Sequence, residues 1–326
     1  SLDENTCLEN LEHIVSTLDE PFADASYLPT YMVCRQAKKE VSVCLSGDGG
    51  DELFAGYNRY HWGRKVSLFN DSCPLFARKA IGKILGCMPA GVVDAAFELF
   101  TRGTTSKNKK SEKDIGLKIS KLSDSLQHIG SADMYSSLLS YWKTSPLKNP
   151  VELNFKWVDE NLLGRSFISG AMGCDQKFYL PCDNLFKVDR AAMANSLEVR
   201  LPLLDHRLVE FCNTLPESMK WRGNTTKYLM RQTLYKHVPP KLIERPKMGF
   251  SVPLADWIRT SLKVYAENYL LDEELLTSRG LDSKLVKRTW HDHLDKKANH
   301  ANAIWTLLVY LDWYDRYQSK IIPLIS

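Results

Sequence analysis

Between Ser46 and Glu52 the chain sets three glycines and three carboxylates in seven residues, Ser-Gly-Asp-Gly-Gly-Asp-Glu. Glycines at 47, 49 and 50 let the backbone approach a ligand closely and enter conformations closed to other residues. Amides of Ser46 and Gly47 at the end of a strand can cradle an anion. Asp48, Asp51 and Glu52 would repel a phosphate placed there unless a divalent cation bridged the two. The residue types therefore point to nucleotide and Mg2+ binding, in a pattern unlike the common phosphate loops.

A second group is cationic. Lys227, in Thr225-Thr226-Lys227-Tyr228-Leu229-Met230-Arg231, is expected in the first turn of a helix, where it opposes the helix dipole. An anionic ligand would reverse that cost. Arg245 and Lys247, on the loop Glu244-Arg245-Pro246-Lys247-Met248-Gly249-Phe250, could converge on the same anion. The plainer reading of Lys227 alone is a solvated lysine. Two further segments are charge-rich. Around Asp19-Glu20-Pro21-Phe22-Ala23-Asp24-Ala25-Ser26, helix capping by Asp24 or Ser26 competes with a functional role. Between Asp189-Arg190 and Glu198-Val199-Arg200, continuing to Asp205, a salt-bridge network suits Arg190, Arg200 and Asp205. Glu198 is expected at a helix end, where the dipole disfavours a carboxylate and a specific partner is needed.

The elements that must hold these groups are mostly helical. Leu8, Leu11, Ile14, Val15 and Leu18 form a helical stripe, and 27–39 reads as a second helix. Val41 to Leu45 reads as a buried strand, and Leu53 to Leu68 as a helix. Asp183 is expected to cap a helix carrying Leu185, Val188 and Ala192. Asp205 is expected to cap another, with Leu208, Val209, Cys212 and Leu215 inward, and Thr225 or Thr226 a third. Ala303 to Tyr317 is apolar on nearly every side and should be deeply packed. Only one convincing strand is visible. The lysine-rich stretch 103–114 reads as a solvated loop rather than a contact patch.

The 326 residues carry 44% hydrophobic and 25% charged side chains and a net charge of +4, ordinary for a globular protein and no argument for nucleic acid. No apolar run reaches the roughly 18 residues that span a bilayer. Eight cysteines, none in a C-x-x-C pair, suggest reduced thiols in a cytoplasmic protein. Ser1-Leu2-Asp3 shows neither a secretory leader nor an initiator Met. The expectation is a portion of a longer protein.

Four segments in order resemble the glutamine-hydrolysing asparagine synthetase family: Ser46 to Tyr57, Asp189 to Arg207, Lys227 to Arg231, and Arg245 to Phe250. The resemblance runs from about Asp19 to Trp257. It implies a fold that is mainly α with a residual parallel β element, the remnant of an α/β ATP-pyrophosphatase fold. In such enzymes ATP activates the aspartate side-chain carboxylate as an acyl-adenylate, and ammonia from a glutaminase domain then forms asparagine. Ser46 and Gly47 match nucleotide contacts, Asp51 a Mg2+–pyrophosphate ligand, Asp48 an acidic position important for the adenylate, and Lys227 a charge-stabilising lysine. Tyr57 and Glu198 carry over through the related lactam synthetases as a Tyr–Glu pair serving amide formation.

Two departures stand out. The family's Ser-Gly-Gly-x-Asp-Ser loop and its glutaminase nucleophile are both absent. The whole of 1–326 then reads as the C-terminal part of a synthetase domain, in three stretches: 1–68 with the nucleotide loop, 69–150, and 151–326 with Lys227. By itself it is expected to be inactive and, with an open strand edge, to self-associate. Alternatives are a synthetase amidating another carboxylate, of lactam or sugar-acid type, or a non-catalytic helical scaffold.

Overall fold

The structure, a computed structural model, describes residues 11–87, 123, 126, 131–150, 156–223, 225–244 and 252–325. Arg245 and Lys247, Leu8 and the 103–114 stretch lie outside the described residues. The chain divides into two compact units, each discontinuous in sequence: 1–64 with 156–252, and 65–155 with 253–326. All the described candidate site residues fall in the first.

In the first unit, α1 (Leu11–Ser16) leads to α2 (Tyr27–Lys38), β1 (Val43–Leu45), the one-turn helix α3 (Gly50–Leu53) and α4 (Asn58–Ser72), whose last residues enter the second unit. Then come α5 (Lys156–Leu162) and α6 (Phe167–Cys174). A π-helical stretch, Asp175–Leu185, continues into α7 (Phe186–Met193). After β2 (Glu198–Arg200) and a 3-10 turn (Pro202–Leu204) the unit closes with α8 (His206–Thr214), α9 (Glu217–Lys220), β3 (Trp221–Arg222), β4 (Thr225–Thr226), α10 (Tyr228–Leu234) and α11 (Pro240–Ile243).

β1 and β2 pair in parallel, with Val43 opposite Glu198, Cys44 opposite Val199 and Leu45 opposite Arg200. β2 escapes a sequence reading because its three residues carry two charges and offer no apolar run. Glu198 is therefore a strand residue and not a helix end. The expectation that Val41 to Leu45 is buried also changes: Val43 is 44% and Leu45 72% exposed, and among the described residues β1 pairs with β2 alone. The second sheet is the β3–β4 hairpin, turned at Gly223 with φ 60°. A strand therefore occupies Thr225–Thr226, where a helix start was expected.

The expected helix at Leu53 to Leu68 is broken. Phe54 to Tyr57 leave the helical path, and Ala55 takes a left-handed φ of 54°. Asp183 does not start a helix either. Ser166 does, its hydroxyl accepting from the Ser169 amide at 3.2 Å, and the rod runs unbroken from Phe167 through Met193. The Asp205 cap does form, its carboxylate accepting from the Arg207 amide at 3.0 Å. Leu208, Val209, Cys212 and Leu215 face inward as expected and pack with Leu53, Phe54, Leu203, Leu204 and Met230. Fully burying side chains such as Leu53 and Phe54 is worth about 1.5–3 kcal/mol each. This core fastens α3 and α10, which flank the candidate site, to one support.

Behind α3 lies a buried ion pair. Asp175 is fully buried and receives the Arg59 guanidinium at 2.7 Å and the Tyr60 hydroxyl. Arg59 also stacks on Tyr57, 3.7 Å from its ring centre, and on Tyr179 at 4.3 Å. A buried charge needs such partners, because desolvation would otherwise exclude it.

The second unit is mainly helical in its described residues, apart from 140–150, where Leu147 forms an isolated antiparallel bridge with Leu281. Asp272 and Asp282 cap Glu273–Ser278 and Ser283–Leu294 by accepting from the Leu275 amide and from the Lys284 and Leu285 amides. Ala301–Ile325 contributes buried Ile304, Leu308 and Leu311 and packs on the helices that carry Ile258, Leu270 and Trp290, so the expected deep packing holds from Ala303 to Leu311, while Asp312 to Tyr317 are half-buried or exposed. No helix among the described residues is long and apolar enough to cross a membrane. Cys34, Cys174 and Cys212 are buried and free; Cys182 is exposed.

Candidate nucleotide site

The loop after β1 turns at Gly49, whose φ of 87° favours glycine and where an added Cβ would lie 2.3 Å from Leu204 Cδ2. Ser46 donates its amide to Arg200 O at 2.9 Å, so the loop springs from the end of the parallel pair. The Ser46 hydroxyl donates to Asp48 Oδ2 at 2.5 Å. Gly47 faces open space, while Gly50 is buried beneath Lys227 and Leu203.

Lys227 sits just before α10 and not in its first turn. Its backbone is left-handed, with φ 53° and ψ 37°, and its amide donates to Phe54 O at 3.0 Å. That twist sends the ammonium back to Asp51 Oδ1, 3.0 Å away. Both side chains keep solvent contact, at 29% and 24% exposure. A half-open pair of this kind contributes roughly 1 kcal/mol or less. Fold stability alone does not account for a lysine held in a conformation that favours glycine. Such strain concentrates at functional sites.

Beside the loop a cavity of about 340 Å3 opens between α2, α7 and the two strands. Its walls are apolar at Val33, Cys34, Cys44, Leu197 and Val199, and polar at Ser26, Ser46, Asp48 and Lys187. Lys187 is held by Asp24 at 2.6 Å and lies 3.7 Å from Asp183. Burial would raise the Asp24 carboxyl, but Lys187 and the Ser26 hydrogen bonds bring it below its ordinary value. Burial, and then the Asp24 charge, push Asp183 up to about 7. Asp24 accepts from the Ser26 amide at 2.9 Å and caps no helix with its side chain, so in the acidic turn at Asp19 to Ser26 it is Asp24 that serves Lys187.

Asp183 ties stability to pH. Its folded carboxyl binds a proton that the unfolded chain has lost above about pH 4. Its contribution to stability is complete below that pH and disappears as pH rises through about 7. Asp24 acts in the opposite sense, below pH 4. Asp183→Asn should therefore narrow the gap between melting midpoints at pH 5 and pH 8, each kcal/mol being about 2–4 °C for a unit of this size. An unchanged gap would assign the titration elsewhere.

Tyr57 does form a Tyr–Glu pair, with a different glutamate. Its hydroxyl donates to Glu52 Oε1 at 2.8 Å, and Asn184 Nδ2 donates to both, at 2.7 Å each. Glu198 is exposed on β2, with Arg200 beside it at 3.7 Å. Arg190 reaches Asp19 at 3.2 Å and Asp205 reaches Arg207 at 2.8 Å, so the expected structural role holds as separate ion pairs with partners outside the segment rather than as one network. Glu52, Asn184 and Lys187 carried no signal as a group, since more than 120 residues separate Glu52 from Asn184. The structure sets Lys227 against Gly50 and Asp51 of the loop that also carries Ser46, Gly47, Asp48 and Gly49, and Glu198 stands on β2 beside Arg200 instead.

The donor set suits Mg2+ of one kind only. Among the described residues no three His, Cys, Asp or Glu side chains converge. An ion held by one or two carboxylates and completed by substrate phosphates needs no such cage. Asp51 and Asp48 are carboxylates of that sort on the same short loop.

The Asparagine synthase family profile matches residues 1–316. The chain belongs to the asparagine synthase family. It is 31% identical over 313 residues to "Asparagine synthetase [glutamine-hydrolyzing] 1" of Bacillus subtilis, covering 94% of this chain and 45% of that protein. A "Putative asparagine synthetase [glutamine-hydrolyzing]" of Mycobacterium bovis is 29% identical, over 97% of this chain and 46% of the relative. "Amidase chyE" of Penicillium rubens is 22% identical, over 78% of this chain and 39% of its own length. The chain thus spans less than half the length of these relatives. No solved structure matches it.

Proposed function

We propose that the protein carrying this chain is an ATP-dependent ligase that adenylates the side-chain carboxylate of aspartate and converts it to asparagine with glutamine-derived ammonia. The observation that carries this reading is Lys227, turned by a left-handed backbone onto Asp51 at 3.0 Å beside a glycine loop. Adenylation builds negative charge on the phosphates in flight, and fixed cations opposite that position stabilise it. Lys227 supplies one, already oriented, and its ion pair with Asp51 prevents drift before substrate arrives. Arg245 and Lys247 would add to it, as the family resemblance implies. Mg2+ held by Asp51, with Asp48 on the same loop, would neutralise phosphate charge. The apolar walls of the 340 Å3 cavity suit a nucleoside, with Ser46 and Asp48 among its polar lining. On this reading the fold is part of an ATP-pyrophosphatase domain, and Glu198 serves β-pairing rather than catalysis.

Pyrophosphate release by the full-length protein tests the assignment. ATP with aspartate should release it, and glutamine or ammonia should yield asparagine. The similarity to an amidase keeps a second acid in view: release with a uronic acid or a lactam precursor, and none with aspartate, would replace the substrate and keep the chemistry. Residues 1–326 alone should release none with either.

A further inference from the structure

We propose that Gln176 and Asn184 of the π-helical stretch, acting through Glu52, are positioning residues that hold Asp51 opposite Lys227 and so set the Mg2+ affinity of the site. The inference rests on the reading of Asp51 as a metal ligand. Glu52 is gripped at both of its polar ends. Asn184 and Tyr57 donate to Oε1, at 2.7 and 2.8 Å, and Gln176 Nε2 donates to the main-chain carbonyl at 3.2 Å. Asp51 is its peptide neighbour, and Gly56 N closes the turn on Asp51 O at 2.9 Å. With its own carbonyl and that of Glu52 both held, Asp51 has little freedom beyond its side-chain torsions.

The grip is anchored in turn. Gln176 exchanges amide hydrogen bonds with Asn213 of α8, at 3.2 and 3.0 Å, tying it to the helix that packs beneath α3. Asn184 Oδ1 accepts from Lys187 at 3.3 Å, which extends the chain of contacts to Asp24. Glu52 is 1% exposed, so its carboxylate serves the neighbours that grip it. Burial holds its carboxyl above the ordinary value, against the hydrogen bond from Tyr57. Oε1 needs only to accept, a role that an amide oxygen fills equally well. Long π-helical runs are rare, and π turns favour functional sites. Here the stretch carries both amides.

The test measures the Mg2+ concentration that gives half-maximal ATP binding to the full-length protein, alongside its melting midpoint. Asn184→Ala and Glu52→Ala should raise that concentration about tenfold or more, the usual cost of losing a group that orients a metal ligand. Glu52→Gln should stay near the parent value. Gln176→Ala should shift it in the same direction as Asn184→Ala, and serves if that variant does not fold. Equal damage from Glu52→Gln and Glu52→Ala would overturn the inference. So would a lowered melting midpoint with unchanged Mg2+ dependence in Asn184→Ala. Asp51→Asn separates the two levels. If it leaves the Mg2+ dependence untouched, the reading of Asp51 fails and takes the inference with it. If it shifts the dependence while Asn184→Ala does not, the inference fails alone.

Discussion

Lys227→Gly in the full-length protein should lower ATP- and aspartate-dependent pyrophosphate release about 100- to 1,000-fold, the usual loss when one fixed electrostatic contact to a developing charge is removed. The same substitution should leave the melting midpoint unchanged or raise it. A left-handed backbone costs an L-residue roughly 1–2 kcal/mol, and glycine is spared that cost. Lys227 has φ 53°, and the hydrogen bond its amide donates to Phe54 O survives in glycine. Against this gain stands the half-open pair with Asp51, worth roughly 1 kcal/mol or less. Lys227→Ala keeps the strain, so it should lose activity to the same degree and be less stable than Lys227→Gly. A solvated surface lysine would behave otherwise: neither variant would affect pyrophosphate release. Steady-state assays and thermal melts on the two variants decide between these outcomes.

The Lys227 geometry marks the limit of what the sequence could say. That an anion belongs near it follows from a cation at a helix start. That its backbone is left-handed does not, because lysine carries no preference for that region. The conformation is imposed from outside, by the bond to Phe54 O and by the β3–β4 hairpin that delivers the chain to it. Glycine density made the 46–52 loop legible, since few other roles need three glycines beside three carboxylates. β2 was hidden because three residues with charges at both ends leave no period to read, and its pairing with β1 spans 155 positions (Val43 to Glu198). The partner of Tyr57 was hidden for a different reason. Two glutamates were in reach of the reading, and only the fold chooses Glu52, five residues away, over Glu198. Helices with strong apolar periodicity, such as Tyr27–Lys38 and His206–Thr214, were read nearly to their ends, because packing and pattern agree there.

Gly56→Ala should reduce pyrophosphate release about 100-fold, the scale of loss when a reacting group is displaced by an ångström. A Cβ at Gly56 would stand 1.9 Å from Asp51 Oδ1 and 2.3 Å from Lys227 Cε, so the methyl group enters the space the ion pair occupies. Both side chains are flexible enough to move aside, and neither can then keep the 3.0 Å contact. Overpacking of this kind costs about 1–3 kcal/mol, so the melting midpoint should fall as well. Gly47→Ala is the complement. Nothing lies within 4 Å of its added Cβ, and no left-handed φ demands glycine there. Stability should hold, while ATP binding weakens because the methyl group projects where the loop would meet the nucleotide. A loop that served only as a chain reversal would give the opposite pattern for Gly47: ATP affinity as in the parent protein. Equilibrium ATP binding and melting of the two variants thus separate a glycine required by the Asp51–Lys227 pair from one required by the ligand.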